Sequence, residues 1–470
     1  MAANLVEPQA FTVMPTDDTD AAVTQHLAQW AAGVRTSDVP PLAMQWSRHA
    51  LLDWFAVTIA GASEPLVQML MEEYASPPDA KGNDASCTLF GLGRRARAHD
   101  AALINGAAGH ALDFDDVNPR MGGHPTAPVA PVVLAIGEKN NLSGAEVLRA
   151  FATGYEVECR LGEMCGPSHY QHGFHATATM GAFGAAAAAC NLTGQNAEAT
   201  ANALGMAAAQ AAGLKSMFGT MTKPLHAGKA ALNGLMSAQL AARGFTANQT
   251  GIECAQGFAA TQVPVFKPSV APIDNNKLTV QENLFKYHAA CYLTHSAIEA
   301  IRVIREEHQI GLDDMQTIEI QVPESHKKVC DIREPETGLN IKFSIRHLAA
   351  MALDGQNTAS LDMYSDQNAN DARYVDARRR VELAPTPHSD SDLFRSAIVV
   401  ITTKDGRSLR AEYNVAIPAS DVDAQWERLC EKTRAIVSPV IGKTRCEALI
   451  TAVAELESAK DLSALLKAAA

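Results

Sequence analysis

A chain of 470 residues, 47% apolar and 19% charged, is too long for one simple core and too apolar for a disordered protein, so a soluble, globular, two-domain protein is expected. A formal charge of -13 argues against nucleic acid as a general partner but leaves room for a locally basic pocket holding a small anion. The nine scattered cysteines contain no CxxC pair, which favours reduced thiols over a disulfide framework or a zinc site. No apolar run is long enough to span a membrane, and Met1 to Asp20 carries no Lys or Arg, unlike a secretory or transit leader. A cytoplasmic location is therefore expected, with no membrane partner.

Taken in order, residues 1–20 read as a flexible tail. Ala21 to Val34 sets His26, Leu27, Trp30 and Ala31 at helical spacing, and Pro41 to Ala62 does the same with Trp46, Ala50, Leu51, Phe55 and Ile59. Leu89 to Arg95 reads as a turn, and a helix is predicted from about Ala98 to Leu112. Ala127 to Glu138 reads as a buried helix. Ser143-Gly-Ala-Glu146 is a capping-box pattern announcing the next one. The Ala-rich segments ending at Cys190 and Ala212 suit helices packed backbone to backbone. Lys215 to His226 reads as a loop, followed by a helix to Arg243 that Gly244 stops.

The texture changes near Pro272. Thr317 to Val322 alternates like a strand, and Ala397 to Thr402 and Ser408 to Val415 flank the turn Lys404-Asp405-Gly406-Arg407, a hairpin signal. Helical patterns at Leu293 to His308 and Ser344 to Leu353 share this segment, and Ala424 to Leu466 is helical again. The expected fold is mainly α: a large all-helical domain from 21–274 and 416–470, with a smaller α+β domain, 275–415, inserted.

Four stretches carry candidate chemistry. Between His110 and His124 lie Asp113, Asp115 and Asp116; carboxylates beside imidazoles are the material of acid/base catalysis. As continuations of the helix, Asp113 and Asp116 would share a face, with Asp115 pointing elsewhere. His169, His172 and His175 recur at spacing three, a weak metal signal without a Glu at metalloprotease spacing. His175 precedes an Ala-rich helix, whose N-terminal dipole would keep it neutral beside an anion. Lys223, before Pro224, should be extended, and with His226 it can grip a carboxylate. Lys286, His288, Cys291 and His295 form the fourth group; a nucleophilic Cys291 would need a paired base. Taken alone, each has an ordinary alternative: a capped helix end, a surface loop, a buried structural thiol. GxGxxG and P-loop patterns are absent.

In order, Ala111-Leu-Asp-Phe-Asp-Asp116 with Gly123-His-Pro125, Gly173-Phe-His175, Thr222-Lys-Pro-Leu-His226 with Ala231-Leu-Asn-Gly234, Lys286-Tyr with Thr294-His295, and Lys342-Phe-Ser344 resemble the MmgE/PrpD family over nearly the whole chain. That family includes 2-methylcitrate dehydratase, cis-aconitate decarboxylase and an iminodisuccinate epimerase. The resemblance implies a helical domain with an α+β lid, a homodimer, and no metal or organic cofactor. It also implies proton transfer next to a carboxylate of a small polycarboxylate substrate. Carried over by position, the site would hold Asp113, His124, His175, Lys223 and Lys286. His175 would be the main acid/base, His124 a second, Asp113 an orienting carboxylate, and Lys223 and Lys286 carboxylate binders, with His226 and Cys291 nearby. Animal-type decarboxylases resemble this chain less at Val117 and Cys291, where they have Thr and His; a fungal decarboxylase has Cys at the second place. Dehydration of 2-methylcitrate or another 2-alkylcitrate is the leading expectation. Epimerisation of an amino-dicarboxylate, cis-aconitate decarboxylation and an inactive helical scaffold are the alternatives.

Overall fold

The computed structural model describes residues 22–77, 79–386 and 396–470, so the stretch read as a flexible tail lies outside the described residues. Nine helices build most of the first core: α1 Val23–Gly33, α2 Pro41–Gly61, α3 Pro65–Tyr74, α4 Ala98–His110, α5 Thr126–Asn140, α6 Gly144–Gln171, α7 Ala176–Leu192, α8 Ala197–Ala208 and α9 Thr222–Ala241. A small antiparallel hairpin, β1 Cys87–Leu89 with β2 Arg94–Ala96, replaces the simple turn expected there.

Composition explains the layering. All 17 residues of α7 are buried, because Ala, Gly and Thr on every side let α5, α6, α8 and α9 close around it. α4 and α9 meet through glycine: a Cβ on Gly106 would stand 2.9 Å from the Gly228 Cα, and one on Gly228 would collide with the Leu103 carbonyl. The two helices run antiparallel, so this contact sets the C-terminal end of α4, with His110, beside the N-terminal end of α9, with Lys223. α2 is buried almost all round rather than on one stripe, since α4, α5, α6 and the late helix Val422–Ile441 all pack on it.

The second core occupies residues 290–409. Its sheet, β3 Met315–Val322, β4 Val381–Pro385, β5 Ser396–Thr403 and β6 Ser408–Asn414, has the order β4-β3-β5-β6. β3 and β4 are parallel; the other pairs are antiparallel. The predicted hairpin is present, with Gly406 at φ 88° in its turn. Helices His295–His308 and Ile345–Leu353 pack on this sheet and on each other. The chain then returns to the first core through Val422–Ile441 and Lys443–Ala454. The mainly helical expectation holds. Among the described residues no single helix is long and apolar enough to cross a membrane.

Candidate active site

An open cleft of about 1640 Å³ is walled by the loop after α4, the starts of α7 and α9, the segment around Lys286 to Tyr292, and Lys342 with Phe343 from the second core. The loop is fixed by backbone pairing. Val117 and Leu284 exchange two N–H···O bonds of 2.9 Å, which moors the loop to the strand of chain leading to Lys286.

α4 stops at His110, two residues before the predicted end, and Asp113 takes the left-handed conformation at φ 50°. Such a conformation costs about 1–2 kcal/mol for a residue with a Cβ, least for Asp or Asn. The surroundings hold it there: Lys286 Nζ donates to the Asp113 carbonyl at 2.5 Å and to its Oδ1 at 3.1 Å, and Lys223 Nζ lies 2.9 Å from the same Oδ1. The Asp113 side chain is 57% exposed and lines the open cleft. Burial opposes its charge, but the ammoniums of Lys286 and Lys223, then the imidazoles of His124 and His110, outweigh this and hold the carboxyl well below the usual range.

The expected i,i+3 helical face does not exist, because the chain leaves the helix at His110. It is Asp115, not Asp113, that orients imidazoles. Buried Asp115 Oδ2 lies 2.9 Å from His110 Nδ1 and 3.2 Å, at a poorer angle, from His124 Nδ1. Burial opposes its ionisation, but the two imidazoles overcome this and keep it well below the carboxylate range. Burial pushes His110 down to about 4, so it is neutral, with Nδ1–H assigned as the donor to Asp115. His124 Nε2 stands 3.6 Å from Asp113 Oδ1 at the cleft wall.

His175 stands immediately before α7, as the sequence predicts, without capping it through its side chain. Its backbone N–H donates to Gly213 O at 3.0 Å, and its ring stacks on His110 and meets the Phe218 ring edge-on. Burial first, then the charges of His110, His124, Lys223 and His226, drive its pKa far below the ordinary value. Its Nδ1 lies 3.1 Å from His226 Nδ1, one donating and the other accepting, so Nε2 is the nitrogen left for a substrate. His226 thus stands behind His175 rather than on the cleft wall.

Lys223 is helical, not extended: it sits in the first turn of α9, where Pro224 needs no hydrogen-bond partner and is tolerated. The predicted loop therefore ends at Met221. The spaced histidines do not form a metal set. His169 is satisfied by Gln262 O at 2.9 Å and Thr179 Oγ1 at 2.8 Å, away from His175. His288 pairs with Glu299 and Thr358, and His295 with Ala290 O, both off the cleft wall. Cys291 and Lys342 line the wall. Ligand atoms of His110, Asp113, Asp115 and His124 lie within 4.8 Å of one another and by donor type could hold a cation, but two ammoniums already sit on Asp113.

Two buried groups stand behind the wall: Lys432, which no motif singles out, and Asp116 of the acidic cluster. Lys432 Nζ donates to Asp53 Oδ1 at 2.6 Å and to the carbonyls of Phe114 and Lys286, each at 2.8 Å. A lysine among Leu429, Thr433 and Ile436 on the buried face of an amphipathic helix is the signal that would have found it. The second group is Asp116, whose Oδ2 accepts from Thr126 Oγ1 and Asn283 Nδ2. Burial, reinforced by the Asp53 and Asp115 charges, pushes it up to about 8. Between about pH 4 and 8 the folded carboxyl keeps a proton that the unfolded one has released. Stability therefore falls as pH rises through that window, by up to about 1.4 kcal/mol per unit. Asp116→Asn is expected to melt near wild type at pH 5 and several degrees above it at pH 8.5. An equal offset at both pH values in thermal melts would show that Asp116 is already ionised.

Comparison with known proteins follows the same outline. The model of the MmgE/PrpD N-terminal domain matches residues 25–270, and that of the MmgE/PrpD C-terminal domain matches residues 288–458. The chain is 25% identical to cis-aconitate decarboxylase from Aspergillus terreus over 475 residues, covering 95% of this chain and 96% of the relative. It is 26% identical to the Mus musculus protein of that name, covering 95% and 93%, and 27% identical to the Homo sapiens one, covering 94% of each.

Proposed function

The chain belongs to the MmgE/PrpD family, and on that premise we propose that it is a lyase acting on a citrate- or aconitate-like tricarboxylate by proton transfer at a carbon next to a carboxylate. One observation carries this reading: Lys223 and Lys286 converge on a single point of the cleft, Asp113 Oδ1, beside a neutral His175 and a His124 backed by Asp115. Two ammoniums there bind a substrate carboxylate and stabilise the negative charge that spreads onto it when a proton or CO2 leaves the adjacent carbon. His175 is kept neutral, so its Nε2 is ready to accept a proton. His124, with Nδ1 3.2 Å from Asp115 Oδ2 and Nε2 on the cleft side 3.6 Å from Asp113 Oδ1, is placed to donate one.

Decarboxylation of a cis-aconitate-like substrate is the leading reaction, supported by relatives of that name aligned over nearly their full lengths in a fungus and in mammals. CO2 leaves with its bond electrons remaining on carbon, and His124 returns a proton there. Dehydration of a 2-alkylcitrate is the second reading, favoured by the presence of two imidazoles at the cleft: His175 would take the carbon-bound proton and His124 would protonate the departing hydroxyl. The cleft exceeds the roughly 300–1,000 Å³ of an ordinary ligand pocket, which supports a lid role for the second core, with Lys342 brought down on the substrate.

Proton NMR in D2O with citrate, 2-methylcitrate, cis-aconitate and iminodisuccinate separates the chemistries. Loss of CO2 from cis-aconitate is the expected result. Water loss from 2-methylcitrate moves the assignment to dehydratase. Deuterium exchange into iminodisuccinate without net loss moves it to epimerase, and silence across the panel overturns the tricarboxylate reading.

A further inference from the structure

All nine cysteines are free thiols, and seven are fully buried. Two of them line the cleft, Cys165 and Cys291; Cys165 is buried, whereas Cys291 is half-buried and lies near Lys286 and Asp113. It also has another thiol beside it: Cys330 ends the helix Glu324–Cys330, which packs on the Tyr292–Thr294 turn that follows Cys291, and its thiol is the strongest influence on that of Cys291. The backbone holds them there from both sides of one segment. Cys291 N–H donates to Lys342 O at 2.9 Å, while Ile332 N–H donates to Phe343 O at 3.2 Å and Asp331 pairs with Ser344. Cys330, the last residue of the helix Glu324–Cys330, is buried beneath. One thiol therefore faces solvent through the cleft and its partner waits behind it.

We propose that Cys291 and Cys330 form a peroxide-reactive pair in the cleft wall, with Cys291 the attacking thiolate and Cys330 the resolving thiol. The inference goes beyond the lyase reading and depends on no particular reaction. The neighbouring Cys330 thiol, then the Leu293 N–H and the Lys286 charge, outweigh burial and the Asp113 charge and draw the Cys291 thiol down, while the same contact pushes Cys330 up, so Cys291 is the thiol of the pair that ionises first. Burial does the opposite elsewhere, pushing Cys87 up to about 11 and Cys190 up to about 12.

The chemistry balances with a hydroperoxide as the oxidant. The Cys291 thiolate attacks one peroxide oxygen, the O–O bond breaks, and the departing hydroxide takes a proton to become water, leaving a sulfenic acid. The Cys330 sulfur then attacks the Cys291 sulfur; the S–S bond forms, the S–O bond breaks, and a second water leaves. Two thiols and one hydrogen peroxide give one disulfide and two waters. The new disulfide alters the wall beside Lys286 and ties the second core to the segment that carries it.

The test is chemical and needs no substrate, so its failure is distinct from failure of the lyase reading. The reduced full-length protein is treated with hydrogen peroxide, blocked with iodoacetamide, digested without reductant and mapped by mass spectrometry. The expected product is a Cys291–Cys330 linked peptide 2 Da lighter than its two thiol halves, formed at least about ten-fold faster than any modification of the half-buried Cys254 and reversed by dithiothreitol. In Cys330→Ser, Cys291 should accumulate as a dimedone-reactive sulfenic acid; in Cys291→Ser, Cys330 should stay alkylatable. Circular dichroism confirms that both variants fold. Cys291 remaining alkylatable after peroxide, or Cys254 reacting first, overturns the proposal.

Discussion

His175→Ala is expected to lower kcat by about 10²–10⁴-fold, the usual range for loss of a general acid or base, with a much smaller change in KM. The split follows from the geometry. Carboxylate binding rests on Lys223 and Lys286, which touch Asp113 and not His175, so the substrate should still bind. What is lost is an imidazole nitrogen whose ring is held by stacking on His110 and by the His226 hydrogen bond at the cleft wall. His226 cannot substitute, since it stands a full ring further back. Stability gives a second readout. The folded His175 stays neutral where an unfolded one, with a pKa near 6.5, binds a proton. The unfolded state thus takes up more protons as pH falls below about 6.5, and folding weakens in that direction. Removing His175 should flatten part of this acid-side loss in thermal melts from pH 7 to 5. A variant with wild-type kcat, or one whose loss lies entirely in KM, would take His175 out of the proton-transfer role.

Which of these features the sequence could show depended on how local their causes are. Ser143 and Glu146 cap α6 reciprocally as predicted, because a capping box involves four adjacent residues. The hairpin around Lys404 to Arg407 and the placing of His175 at a helix start are equally local. The roles of Asp113 and Asp115 were not legible. Asp113 and Asp116, three apart, suit a helical face, but Asp113 lies in a left-handed turn held by lysines from two distant segments, and Asp115, for which no role was expected, is the carboxylate beside His110 and His124. The same limit explains Lys223. The residue before a proline is locally biased towards extended backbone, yet the packing of α9 on α4 through Gly106 and Gly228 extends the helix through it. His169, half of a tempting metal pattern, is satisfied by Thr179 and a carbonyl 93 residues away, which no spacing rule reveals.

Lys432→Met is expected to reduce kcat by about 10²-fold although its ammonium never reaches the cleft. The side chain is 1% exposed and spends its three N–H donors on Asp53 and on the carbonyls of Phe114 and Lys286. Phe114 lies between Asp113 and Asp115, so one buried cation fixes both the loop that holds the carboxylates and the backbone of the lysine that meets them. A shift of about 1 Å in such a constellation costs about 10²-fold in rate. The single variant also strands the buried Asp53 carboxyl, which is already pushed up to about 6 by burial despite Lys432, and breaking a buried pair costs about 3–5 kcal/mol. The informative protein is therefore the double variant Asp53→Asn with Lys432→Met, which removes both charges and should recover most of the melting midpoint. If Lys432 only supports the fold, kcat returns with stability. If it positions the site, stability returns and kcat stays low, with KM raised because Lys286 no longer points where Lys223 does. Lys432→Arg keeps the charge and should restore part of kcat, an outcome that packing alone does not produce, since the larger guanidinium fits the buried site less well than Met.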